Sequence, residues 1–138
     1  MSDSTTQAET LSALIARLEA STGPDREIDQ AVADATLIPE SDVCIVGAPA
    51  PMKVWRYIDG SVGTALRCTA SLDAAMTLVP DGHLWTIKGR MGGVEWSASC
   101  WATGAMYVAY CEGCYAATPA LALSAAALRA RLDLLSAT

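Results

Sequence analysis

Apolar residues at Leu11, Leu14, Ile15 and Leu18 recur with the i, i+3, i+4, i+7 spacing of one buried helical stripe. The spacing predicts a first helix that begins between Thr5 and Thr10 and ends by Thr22, where Gly23 and Pro24 interrupt it. Asp25 is placed to cap a second helix carrying Ile28, Ala31, Val32 and Ala35 on one face, so the chain opens with a helical hairpin. From Thr36 to Pro51 three prolines and Gly47 surround the short apolar run VCIV, which reads as an irregular stretch with one brief edge strand.

The pattern then changes period. Val54 to Ile58 has strand composition and ends at the turn pair Asp59 and Gly60. The run LRCTASLDAAMTLVP reads as a third helix, capped by Thr69 or Ser71, with Asp73 in its first turn and Pro80 as its stop. HLWTIKG, VEWSASCW and AMYVAYC follow as three strands. In the first, Trp85 and Ile87 share a face; in the second, Val94, Trp96, Ala98 and Cys100 do. They predict an antiparallel meander from Leu84 to Cys111. Thr118 and Pro119 open a last helix with Leu121, Ala125, Leu128, Leu132 and Leu135 along one stripe, and Arg129 and Arg131 near its end. The expected fold class is α+β, a three-layer α/β/α sandwich around a small, mainly antiparallel sheet, formed by residues 1–138 as a single domain.

Composition narrows the function classes. The chain has 138 residues, 52% hydrophobic and 17% charged, with a formal charge of -6. Residues 1–52 hold two arginines against nine acids, residues 53–90 five bases against three acids, and the remainder two bases against three acids. Without a basic run, an acidic chain is poorly suited to gripping phosphate backbones, so nucleic acid is not an expected partner. MSDSTTQAET has neither the basic start nor the apolar core of an export signal, and the longest uncharged stretches are too broken to span a bilayer. Five irregularly spaced cysteines then read as free thiols in a reducing cytoplasm.

Few residues suggest chemistry. Cys111 and Cys114 flank Glu112 and Gly113, a knuckle in which two thiolates can share a metal, but this is half a zinc site. The other ligands would have to come from Cys44, Cys68, Cys100 or the lone His83, so the ordinary reading is two structural thiols and no cofactor. No G-x-S-x-G elbow is present, which leaves Ser71, His83 and Asp73 with residue identity alone in their favour. Asp25, Asp29 and Asp34 read as the solvated side of the second helix. The glycine runs GSVG and GRMGG match no phosphate-binding loop. The most suggestive binding group is Trp55, Trp85, Trp96 and Trp101 with Arg56, Arg67, Lys88 and Arg90, since aromatics stack on bases and guanidinium groups pair with phosphates. In a chain without Phe, the same tryptophans are also the natural core fillers.

The stretches LIARLEASTGPDREIDQAVADA, CTASLDAAMTLVPDG and ATPALALSAAALRARL together resemble the phage α/β/α (ABA) sandwich domain family of small phage and prophage proteins. The likeness covers residues 11–35, 66–82 and 116–132. In that family an aromatic commonly precedes the Thr/Ser helix opening, where this chain has Arg67 and Cys68. The resemblance implies a fold and a mobile-element origin, and no functional residue. The expected function is therefore a non-catalytic accessory protein of a phage or prophage that binds a host component and counters a bacterial defence system. Two alternatives stand beside it: a sponge for a small nucleotide signal built on the Trp/Arg group, and a zinc- or thiol-dependent protein using Cys111 and Cys114. Self-association is left open.

Overall fold

The stripe of Leu11, Leu14, Ile15 and Leu18 is buried on α1, Ser2–Ala20, which starts several residues ahead of the predicted region. The computed structural model describes residues 2–40, 46–47, 53–57, 60–89, 95–102 and 113–136. Asp25 caps α2, Arg26–Thr36, as expected: its Oδ1 accepts from the amides of Glu27 at 2.9 Å and Ile28 at 3.2 Å. Those bonds satisfy two of the donors that every helix start leaves without an internal partner. α1 and α2 pack together as the hairpin.

The strands divide between two sheets, where the sequence suggested one. In the first, β1 (Ile38–Pro39), β2 (Trp55–Arg56) and β3 (Val62–Gly63) pair antiparallel in that order. Gly60, at φ +89°, occupies the left-handed region between β2 and β3 that glycine enters without steric cost. The expected brief edge strand thus falls at Ile38–Pro39; most of VCIV lies outside the described residues.

Helix α3, Leu72–Met76, is short and is capped by Ser71, whose Oγ accepts from the Ala74 amide at 3.3 Å. The second sheet holds β4 (His83–Gly89), β5 (Trp96–Ala102) and β6 (Cys114–Ala116), again antiparallel and in chain order. Its register pairs Trp85 with Cys100, Ile87 with Ala98, and Ala98 with Cys114. Period-two alternation therefore turns Trp85, Ile87, Trp96, Ala98, Cys100, Cys114 and Ala116 toward the core. The segment predicted as the third strand, residues 105–111, lies outside the described residues. Gly89 has the Trp96 ring against it, and a Cβ there would meet that ring at 2.9 Å.

Helix α4, Pro119–Ser136, begins as the Thr-Pro pair predicts, with Thr118 Oγ1 accepting from the Leu121 amide at 3.2 Å. It carries more than one buried stripe. Every residue from Ala120 to Leu128 is buried, Ser124 among them, because the second sheet, α1 and α3 all pack around it. Alanines permit that close approach on several sides, as an all-round apolar helix requires. The whole is a mixed α+β fold of small sandwich type. Among the described residues no helix is long and apolar enough to cross a membrane.

Candidate functional site

α2 packs on α1 and β1, whereas α3 packs on α4, and the gap between these two pairs is a cavity of about 370 Å³. One face of α2 and Leu37, just past its end, line one wall: Asp29, Val32, Ala33, Thr36 and Leu37, at i, i+3, i+4, i+7 and i+8. Ala74, Thr77 and Leu78, at the same helical spacing along and just past α3, line the opposite wall. Tyr57, Leu66, Cys68 and Arg131 complete it. The lining is mainly apolar with a few convergent polar groups, and the volume lies within the roughly 300–1,000 Å³ typical of small-molecule sites.

Asp29 closes one end. It is only 3% exposed, which corrects the reading of Asp29 as part of a solvated face, whereas Asp34 is exposed as expected. Its Oδ1 accepts from the Thr69 amide at 2.9 Å, the Thr69 hydroxyl at 2.7 Å and the Cys68 thiol at 3.6 Å; its Oδ2 accepts from Arg26 Nη1 at 3.2 Å. The Thr69 oxygen in turn accepts from the Asp25 amide at 2.9 Å. A buried carboxylate is tolerable when its lone pairs are filled in this way. The physical reason for the misreading is that every donor except Arg26 lies some 40 positions away along the chain. Asp25 is a cap, and Asp34 accepts from Trp55 Nε1 at 2.9 Å, so all three acids are engaged in structure.

The remaining polar groups are held by bonds within the protein. Burial, with Asp29 beside it, pushes the Cys68 thiol up to about 12, so it carries almost no thiolate at neutral pH. Ser124 Oγ donates to the Cys68 carbonyl at 2.9 Å and ties this turn to α4. The Tyr57 hydroxyl donates to the Thr64 carbonyl, and burial raises its pKa. Arg131 Nε donates to the Leu78 carbonyl at 2.8 Å, and burial lowers the guanidinium pKa, with Asp81 acting in the opposite direction.

Among the described residues, none of those singled out for binding lines this cavity. Trp55 is 1% exposed and forms a small core of its own with Ala33 and Ala65, while Trp85 and Trp96 pack against the main core. Trp101 is buried from the opposite face of β5, across from Leu84. Arg56 pairs with Glu40 on the surface, Arg67 and Lys88 are exposed, and Arg90 lies outside the described residues. Trp55 with Arg56 and the other three tryptophans thus sit on different sheets.

Cys114 is buried on β6, and burial pushes its thiol up to about 11; Cys111 and Cys44 lie outside the described residues. Among the described residues no three His, Cys, Asp or Glu side chains gather as metal ligands would. Ser71 is committed to capping α3, and His83 starts β4 with Nδ1 3.2 Å from the Asp81 carbonyl, away from the cavity. Reading from the sequence missed Asp29, Cys68, Thr69 and Arg131. The available signal was the 29, 32, 33, 36, 37 spacing, which shares only Val32 with the predicted 28, 31, 32, 35 face. No family model, no curated protein and no solved structure matches the chain.

Proposed function

We propose that the protein is a non-catalytic binding protein whose ligand is a small, largely apolar molecule held between α2 and α3. The observation that carries this reading is the cavity itself, of about 370 Å³ and mainly apolar. The suppressed Cys68 thiol and the fully engaged Asp29 support binding over catalysis. All of the lining except Thr36, Leu37 and Tyr57 comes from the three stretches that resemble the phage sandwich family. In the accessory role that resemblance implies, the host component bound would be a small molecule. A nucleotide sponge built on the tryptophans has less support, because Trp55 and Trp101 are closed to stacking.

Thermal denaturation against a panel of small apolar compounds tests the reading, since a ligand specific for the native state raises Tm. Ala74→Phe fills the gap from α3, whose Ala74 is half-buried. The expected result is a ligand-dependent rise in Tm for the wild type that Ala74→Phe abolishes while far-UV circular dichroism is unchanged. An equal rise in both proteins, or none in the wild type, would overturn it.

A further inference from the structure

The two charged groups on the cavity wall are not equivalent. Asp29 has both oxygens occupied by Thr69, Cys68 and Arg26, so its charge is balanced within the protein and it has little capacity left for a ligand cation. Arg131 is different. Its Nε is held by the Leu78 carbonyl, and among the described residues no carboxylate lies within 4 Å of the guanidinium and its terminal nitrogens make no further hydrogen bond. Arg131 lines the cavity, and no side-chain nitrogen or oxygen among the described residues is sealed from solvent without a partner, so those nitrogens are open to solvent. A guanidinium anchored at Nε presents its remaining N–H donors as a planar fork, the geometry that matches a carboxylate.

We propose that the ligand is a medium-chain monocarboxylate, its head group on the Arg131 fork and its apolar body along Val32, Ala33 and Ala74. This rests on the cavity reading above and names the class of molecule. Along α2 the wall from Asp29 to Leu37 runs roughly 12 Å at the helical rise per residue, which suits a short alkyl chain. One guanidinium balances one negative charge. A dianionic phosphate head would leave excess charge in the low-dielectric space shared with Asp29, so the single carboxylate is the better match. In an acidic protein of charge -6, a half-buried cation that feels Asp81 but, among the described residues, makes no ion pair is the feature that selects such a head group.

The test is titration calorimetry with octanoate, octanol, octyl phosphate and octyltrimethylammonium on the wild type, Arg131→Met and Arg131→Lys. Octanoate is expected to bind the wild type most tightly. Arg131→Met is expected to weaken octanoate by about tenfold or more while leaving octanol unchanged, with Arg131→Lys between the two. If octanol or octyltrimethylammonium binds the wild type as tightly as octanoate, or octyl phosphate binds more tightly, the monocarboxylate is overturned and the cavity reading survives. Unchanged octanoate affinity in Arg131→Met has the same meaning. If no compound binds the wild type, both readings fall. Should Arg131→Met not fold, the order of the four affinities in the wild type decides.

Discussion

Thr69 donates its hydroxyl proton to Asp29 across a 2.7 Å hydrogen bond, and the two residues are 40 positions apart in the chain. This bond and the 2.9 Å bond from the Thr69 amide fasten α2 to the turn that opens α3, closing one end of the gap between them. Asp29→Ala would leave the Thr69 amide and hydroxyl buried without that acceptor. The expected cost is about 2–4 kcal/mol, read as a lower midpoint in urea denaturation. Asp29→Asn keeps an acceptor and should cost less. The ion pair to Arg26 adds little, because that guanidinium is 40% exposed.

Ser124 holds the neighbouring residue from the other side, through the Cys68 carbonyl. Ser124→Ala is expected to destabilise by about 1–3 kcal/mol, since the serine is fully buried and the carbonyl loses this donor. Because both bonds fix the 68–69 turn, Asp29→Ala and Ser124→Ala should be non-additive. A double-mutant cycle in urea checks this, and simple additivity would show that the two ties act independently.

The Cys68 and Cys114 thiols are raised in the folded state to about 12 and about 11 from an ordinary value of 9.0. Below pH 9 both are protonated whether folded or unfolded, so their contribution to stability is fully present there. As pH rises from 9 toward 12 the unfolded thiols ionise first, the unfolded chain binds fewer protons, and stability falls. Comparing unfolding free energies of the wild type and Cys68→Ala between pH 8 and pH 11 should show a shallower fall in the variant. Iodoacetamide at neutral pH should label neither residue in the native protein and both in denaturant.

Trp55 fills the small core under the first sheet and donates to Asp34 at 2.9 Å. Trp55→Phe removes that bond and leaves a void beside Ala33 and Ala65, at an expected cost of about 1–3 kcal/mol. Asp34→Ala, which removes the bond alone, should cost about 1 kcal/mol or less, because Asp34 is exposed. Tryptophan fluorescence during unfolding measures both.

What the sequence made legible was whatever repeats over several turns or residues. The α1 stripe, the Asp25 cap, the Thr118 and Pro119 helix start and the alternation in β4 and β5 are local patterns, and each appears in the structure where it was expected. The strands β1 to β3 have two residues each, too few to show a period, so their separate sheet was not legible. The cavity was hidden for another reason. Its Asp29 has the composition of a surface residue, and what makes it an interior one is Cys68 and Thr69, partners that only the fold brings near. Arg131 likewise reads as a base suited to a helix end, until Leu78 is seen to hold its Nε.

The enclosure of α4 bears on how this chain can fold. A helix buried from Ala120 to Leu128 has no surface on which to rest in a partial structure, and its neighbours α1, α3 and β4 precede it by tens of residues. Each neighbour shows its apolar side to that one segment, so none forms a stable half on its own. Long-range closure of this kind is paid for before it is rewarded, which slows assembly and makes it cooperative. Severing the chain ahead of Pro119 should leave two fragments that are each unstructured and that regain a native spectrum only when mixed.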